Sequence, residues 1–112
     1  MERILYAIKL KRDRAKDYED VHINAWPELL KTIKDCGFKS EYIFRFKDYS
    51  LVFMEAEDIN KSFKLFLETD VAKRFGKVVT PMVEEYPDFE AEGKLKGLKK
   101  IFDLNDQLKE IE

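Results

Sequence analysis

The strongest constraint on the fold is a change of hydrophobic period near the start of the chain. Apolar residues first alternate with other residues, at Ile4, Tyr6, Ile8 and Leu10. A period of two is typical of a strand with one buried face, so residues 2–10 are predicted to form such a strand. From Asp13 onward the apolar spacing becomes that of a helix, which indicates a mixed chain of helices and strands.

The first helical stretch contains a proline and is therefore predicted to be divided. Pro27 would clash with the preceding turn of a continuous helix. We expect two helical pieces, of which the second runs from about Trp26 to Cys36. Gly37 supplies the end of that second helix.

The remainder of the chain is predicted to form short elements separated by turn-forming residues. They are a hairpin of strands 40–46 and 51–57 joined by residues 47–50, a helix capped by Asp58, a helix from Thr69 or Asp70 that ends at Pro81, and a final strand from Leu95 to Leu104. The order β-α-β-β-α-β predicts an α+β, ferredoxin-like fold. We expect a single domain over residues 1–104 and a polar C-terminal tail over residues 105–112.

Helices cover only one face of such a sheet, and the predicted strands are rich in aromatic residues. These are Tyr6, Tyr42, Phe44, Phe46, Phe53 and Phe102. A large exposed apolar face marks an association site. We therefore expect a homodimer, a dimeric α/β barrel in which two sheets pack face to face.

Composition excludes several classes of partner. Acidic and basic residues nearly cancel, to a net charge of -2, and phosphate backbones need a concentrated basic surface, so nucleic acid is not expected as a partner. No apolar run approaches the roughly 20 residues that cross a bilayer, so no membrane association is expected. Cys36 is the one cysteine of the chain and is interpreted as a packing residue. An unpaired thiol and a start without an apolar signal segment predict a cytoplasmic protein.

The candidate for chemistry is His22, the single histidine of the chain. Imidazole has an unperturbed pKa of about 6.5 and both gives and takes protons near neutral pH. Tyr18 lies four residues earlier and shares a helical face with it. A lone histidine on an amphipathic helix is more often a packing residue than a catalyst, and Tyr18 alone would be an ordinary half-buried tyrosine. The residues around the pair are what favour a catalytic reading.

Those residues form the pattern Tyr-x-x-x-His-x-x-x-Trp-Pro-Glu-Leu, from Tyr18 to Leu29. The pattern resembles the L-rhamnose mutarotase family of sugar isomerases, and the resemblance extends over most of the chain. It implies a dimeric ferredoxin-like enzyme in which His22 acts as acid and base and Tyr18 binds a sugar hydroxyl. Interconverting α and β anomers requires proton transfers that open and close the ring, for which general acid and base groups suffice. No cofactor and no metal are expected.

The chain departs from the family pattern at three places, which bear on the substrate. Phe75-Gly76 stands where the family usually has two tryptophans that line the sugar site. Ser40-Glu41 replaces an Asn-Tyr pair, and Tyr42, one place later, would point to the opposite face of its strand unless the register slips by one residue. Tyr86-Pro87-Asp88 keeps the aspartate of an Asn-Pro-Asp sequence. The predicted substrate-binding residues are Tyr18, Glu41, Phe75, Gly76 and Asp88.

Glu41 has two readings. It is a hydroxyl acceptor or second acid and base if it faces the pocket, and a solvated strand residue otherwise, which is the commoner case. The predicted substrate is L-rhamnose or another 6-deoxy hexose such as fucose. Two other classes stay open: a dimeric ferredoxin-like monooxygenase, either cofactor-free or with haem iron bound by His22, and a non-catalytic sugar-binding member of the family.

Overall fold

The computed structural model describes residues 1–89 and 94–112. Its elements are, in chain order, β1 Glu2–Leu10, α1 Ala15–Ile23, α2 Pro27–Asp35, β2 Phe38–Phe46, β3 Tyr49–Ala56, α3 Ile59–Leu67, α4 Asp70–Val79, β4 Val83–Glu85 and α5 Leu104–Ile111. The four strands form one antiparallel sheet in the order β2-β3-β1-β4. This is the predicted β-α-β-β-α-β arrangement, so the α+β, ferredoxin-like prediction is confirmed.

The division of the first helix occurs where the sequence predicts it. α1 ends at Ile23, and α2 begins with Pro27 in its first turn, where a missing N–H is tolerated. Gly37 follows α2 with φ of 106°, a left-handed conformation that favours glycine. The break allows α1 and α2 to take separate directions across the sheet, with His22 near the end of α1.

The turn of the hairpin is shorter than predicted. Only Lys47 and Asp48 connect the strands, and Lys47 adopts a positive φ of 54°. Tyr49 and Ser50, assigned to the turn from sequence, belong to β3. This difference matters for the site because Ser50 thereby lies inside the sheet, on its buried face.

The predicted final strand over Leu95 to Leu104 is wrong. β4 is instead Val83–Glu85, which follows α4 after one 3-10 turn and pairs with the end of β1. Three residues are too few for a periodic signal in sequence. β4 pairs with Lys9 and Leu10, and nearer the start of β1 the later segment donates a backbone hydrogen bond to that strand, from Leu98 N to Leu5 O at 2.7 Å. Further on, α5 covers most of the predicted tail, capped by the Asp103 side chain.

The two faces of the sheet have different surroundings. The buried strand residues lie on the face where the helices pack, and they are Tyr6, Ile8, Leu10, Phe38, Ser50, Val52, Met54, Ala56 and Val83. The opposite face carries the side chains between them. On β2, Tyr42 and Phe44 are 56% and 63% exposed and stand opposite Phe53 and Leu51 of β3. We call these the covered face and the open face.

Candidate active site

A cavity of about 830 Å³ lies between the helices and the covered face of the sheet. Its wall is mostly apolar, with Ile23, Ala25, Leu29, Leu30, Ile33, Phe38, Ile43, Met54, Phe63, Phe66 and Phe75 contributing. Its polar side chains include Tyr6, Tyr18, His22, Glu41 and Ser50. An apolar cavity with a few convergent polar groups is the usual form of a small-molecule site.

The ring of His22 is held by the backbone of its own helix. Nδ1 lies 2.7 Å from the carbonyl oxygen of Tyr18. A carbonyl oxygen only accepts, so Nδ1 carries the hydrogen and donates it. In the neutral ring Nε2 is then left as an acceptor, and it has no hydrogen-bond partner among the residues described. The geometry therefore presents a basic nitrogen that is free to bind a ligand.

Burial keeps this imidazole neutral near physiological pH. Desolvation lowers the pKa of His22 below its ordinary value, and the hydrogen bond to the Tyr18 carbonyl offsets part of that effect. The ring is also fixed by aromatic neighbours. Its centroid is 4.2 Å from that of Tyr18 and 5.4 Å from that of Phe75, the latter in an edge-on arrangement. His22 is thus a neutral, oriented base.

Tyr18 is tied to the sheet at its hydroxyl. The hydroxyl groups of Tyr18 and Ser50 are 2.9 Å apart and form a hydrogen bond between α1 and β3. Both residues are buried. Burial raises the pKa of the Tyr18 phenol, and the Ser50 hydrogen bond opposes that rise. The phenol therefore stays neutral, and the bond fixes the segment of α1 whose carbonyl holds His22.

Glu41 faces the cavity. On β2 it stands opposite Met54, a residue of the covered face, while Tyr42 points to the open face and stacks on Phe53. Its carboxyl group makes no hydrogen bond or ion pair with any of the residues described. Burial raises the pKa of Glu41 above its ordinary value. The commoner reading from sequence, a solvated strand residue, does not describe this side chain.

Sequence reasoning missed several polar residues of the cavity, among them Tyr6 and Ser50. Tyr6 was assigned only to the apolar pattern of β1, yet it lines the cavity, and burial followed by the charge of Glu41 raises its pKa far above the ordinary range. A tyrosine on a core-facing strand position needs a partner for its hydroxyl, which was a usable signal. Ser50 was missed because its partner Tyr18 is 32 residues distant.

Phe75 and Gly76 are adjacent on α4 but differ in position relative to the cavity. Phe75 lines it and packs edge-on against both His22 and Trp26, whose ring centroid is 5.3 Å away. Trp26 therefore supports the wall through Phe75. Gly76 is absent from the wall, and a Cβ added there would meet nothing within 4 Å. The α4 segment is held to α2 by the ion pair of Arg74 with Glu28 at 2.8 Å.

Asp88 lies apart from these residues. It lines a second, smaller depression together with Lys9, Tyr49, Tyr86 and Lys96. Of the predicted site residues, the structure thus brings Tyr18, His22, Glu41 and Phe75 to one cavity, and it does not bring Gly76 or Asp88 there. Within residues 1–89 and 94–112 no group of histidine, cysteine and carboxylate side chains has the arrangement of a metal site. No helix in the same ranges has the length and apolarity needed to cross a membrane.

Comparison with known proteins identifies a family that this chain resembles in sequence. The family model described as L-rhamnose mutarotase matches residues 3–104. An L-rhamnose mutarotase of Clostridium beijerinckii is 29% identical over 84 residues, which cover 74% of this chain and 81% of that protein. The enzyme of the same name from Acidiphilium cryptum is 28% identical over 105 residues, covering 93% and 99%.

The fold comparison points the same way. The crystal structure of an L-rhamnose mutarotase from Formosa agariphila superposes with a TM-score of 0.65 at 18% identity, covering 93% of this chain and 99% of that one. That identity speaks for the fold alone. With a family match that spans nearly the whole chain and includes the segment from Tyr18 to Leu29, this protein belongs to the L-rhamnose mutarotase family.

Proposed function

We propose that this protein is an isomerase that interconverts the α and β anomers of L-rhamnose or a related 6-deoxy hexose. The observation that carries the proposal is the 2.7 Å hydrogen bond that fixes Nδ1 of His22 as the donor and leaves Nε2 as a base in a mostly apolar cavity. Membership of the family supports the same reaction. No cofactor is required, because ring opening needs only proton transfers.

His22 acts on the anomeric hydroxyl. Nε2 removes the hydroxyl proton while the bond between C1 and the ring oxygen breaks, and it returns a proton to the same oxygen when the ring closes. The low pKa of a buried imidazole keeps the base unprotonated before each turnover. Tyr18 positions the histidine through its carbonyl oxygen and through its ring, which contacts the imidazole at a tilted angle.

The wall of the cavity favours a deoxy sugar. A 6-deoxy hexose carries a methyl group where other hexoses carry a hydroxyl, and apolar walls bind a methyl group favourably, by about 0.8 kcal/mol per buried carbon. The Phe75 ring beside His22 offers an aromatic face for the apolar side of the sugar. Because Gly76 supplies no second ring, selectivity among 6-deoxy hexoses is expected to differ from that of relatives with two tryptophans.

The open face supports a homodimer in which two sheets pack against each other. Tyr42, Phe44 and Phe46 are each more than half exposed on adjacent positions of that face. Exposing a contiguous aromatic surface of this kind to water is unfavourable in free energy. A second copy of the chain carries the same surface and can cover it. The free thiol of Cys36 supports a reducing cytoplasmic location.

The test is anomer exchange measured by NMR saturation transfer, which detects exchange at equilibrium without a coupled enzyme. L-rhamnose and L-fucose, with their 6-hydroxy counterparts L-mannose and L-galactose, are each measured with and without the protein. Acceleration for a 6-deoxy hexose above that for its hydroxylated counterpart is the expected result. Equal rates with and without protein for every sugar would refute the proposal, and a haem absorption band on the purified protein would favour the monooxygenase class instead.

A further inference from the structure

We propose that Glu41 is a second catalytic residue of the anomer exchange, the acid that delivers a proton to the ring oxygen of the sugar. The inference rests on the mutarotase function proposed above and assigns the proton that His22 does not handle. Ring opening needs two transfers, one from the anomeric hydroxyl and one to the ring oxygen. A base and an acid on different walls of one cavity can perform both at once.

The placement of Glu41 supports this role. His22 projects from α1 and Glu41 from β2, and both side chains line the same cavity. Tyr18 lines the same cavity, and the centroid of its ring is 4.2 Å from that of His22. A carboxyl group that lines the cavity and has no partner among the residues described is available for a ligand.

The surroundings favour a protonated carboxyl group. The other ionisable groups of the cavity wall are Tyr6 from β1, Tyr18 and Glu19 from α1, Lys34 from α2, and Lys39 and Arg45 from β2. Of the cations, Arg45 pairs with Glu19 and Lys34 donates to the Lys39 carbonyl. Burial, with no paired cation, raises the pKa of Glu41, while burial lowers that of His22. Opposite shifts of two groups in one site are how acid and base are set apart.

Ring opening moves two protons, one to His22 and one from Glu41. Nε2 of His22 takes the proton of the anomeric hydroxyl, and those O–H electrons form the C1=O bond. The bond from C1 to the ring oxygen breaks, and its electron pair accepts the proton of Glu41. The products are the open-chain aldehyde, an imidazolium and a carboxylate. After rotation about C1–C2, the reverse transfers close the ring on the other face of the carbonyl and restore both groups.

The experiment compares Glu41→Gln, which keeps the shape but cannot give up a proton, with Glu41→Asp, which keeps the carboxyl group. Glu55→Gln is the matched control, since Glu55 lies on the opposite face of the sheet, paired with Arg3. Exchange of L-rhamnose by NMR gives kcat and KM for each protein across the pH range, with a thermal melt to verify folding. Whichever 6-deoxy hexose is exchanged fastest replaces L-rhamnose if rhamnose is inactive.

Glu41→Gln is expected to lower kcat by about 10²- to 10⁴-fold. The parent should lose activity as the pH rises, because the acid is then deprotonated, and the Glu41→Gln protein should lack that alkaline fall. Glu41→Asp should keep the fall and recover part of the rate, and Glu55→Gln should match the parent.

Three results would overturn the assignment while leaving the mutarotase function in place. The first is a Glu41→Gln rate close to that of the parent, and the second is a slower rate that still decreases at alkaline pH as in the parent. The third is a higher KM at unchanged kcat, which would mean that Glu41 binds a hydroxyl equally well in the ground state and the transition state. A parent protein that exchanges no sugar would overturn both proposals together.

Discussion

The two faces of the sheet are built from the same strands and serve different purposes. On β2 the residues Glu41 and Ile43 line the cavity, and the residues between and after them, Tyr42 and Phe44, point away from it. The covered face combines an apolar wall with a few polar groups. Among the residues described, the carboxyl group of Glu41 and Nε2 of His22 have no hydrogen-bond partner. The open face carries exposed aromatic rings. Alternation along one strand thus separates proposed chemistry from proposed assembly by a single residue.

This separation makes the two faces independently testable. A substitution on the covered face should change sugar exchange and leave assembly intact, while one on the open face should act on assembly first. A shift of register by one residue would exchange the side chains of the two faces. The difference between the covered face and the open face therefore depends on the pairing of Glu41 with Met54 and of Tyr42 with Phe53.

The largest effect is expected from His22→Gln. The amide of glutamine can still donate a hydrogen bond but cannot exchange a proton near neutral pH. Loss of a positioned acid and base group should lower kcat by about 10²- to 10⁴-fold. NMR exchange spectroscopy measures the rate, and sedimentation of the same sample should show unchanged assembly. A folded variant that exchanges sugar at the parent rate would remove His22 from the mechanism.

The next effect concerns the open face. Phe44→Glu places a charge where an aromatic ring is expected to be buried between sheets. The loss of one central aromatic contact costs roughly 2 kcal/mol or more of binding free energy, which raises the dissociation constant of the dimer by about 30-fold. Sedimentation over a dilution series measures it. If the parent is already monomeric at micromolar concentration, or if the variant dimerises equally well, the open face is not the interface.

A smaller effect is expected on stability from Glu41→Gln. Because burial raises the pKa of Glu41, the folded protein holds this proton to higher pH than the unfolded chain does. The parent therefore loses free energy of unfolding as the pH rises from about 4.3, the ordinary value, through the folded pKa. The variant should lack this loss and be the more stable protein at neutral pH. Denaturant unfolding at acidic and neutral pH measures the difference, and identical pH dependence in both proteins would contradict it.

The smallest effect is expected from Gly76→Ala. Glycine inside a helix costs roughly 0.5 to 1 kcal/mol relative to alanine, and an added Cβ at this position meets nothing within 4 Å. The free energy of unfolding should rise by about that amount. Gly37→Ala is the matched control and should destabilise, because φ is 106° and the Cβ would lie 2.7 Å from Ser62 Oγ. A destabilised Gly76→Ala protein would show that α4 is packed differently.

Local signals predicted much of this fold. The period of β1, the break at Pro27, the glycine after α2 and the hairpin were all readable within a few residues. The last strand was not, because the choice of which segment pairs with the edge of β1 depends on contacts distant in sequence. Val83–Glu85 reaches that edge first, directly after α4, and a three-residue strand leaves no periodic pattern.

The candidate site divides in the same way. Tyr18 and His22 are four apart on one helix and could be paired from sequence alone. Whether Glu41 faced the cavity depended on the register of β2 against β3, which no local pattern fixes. Ser50 became visible only once β3 placed it beside Tyr18. A residue of the site could therefore be predicted where it and its partner lie on the same helix. It could not be predicted where the two lie in different elements that meet only when the sheet forms.

The most direct test of the account is a ¹⁵N NMR spectrum of the imidazole of His22, which is unambiguous because the chain has one histidine. If His22 is the base, we expect a neutral ring protonated at Nδ1, a pKa below the ordinary value for histidine, and a change of the Nε2 resonance when a 6-deoxy hexose binds. A ring protonated at Nε2, a pKa above the ordinary value, or an Nε2 resonance that ignores the sugar would contradict the claim that His22 is the base.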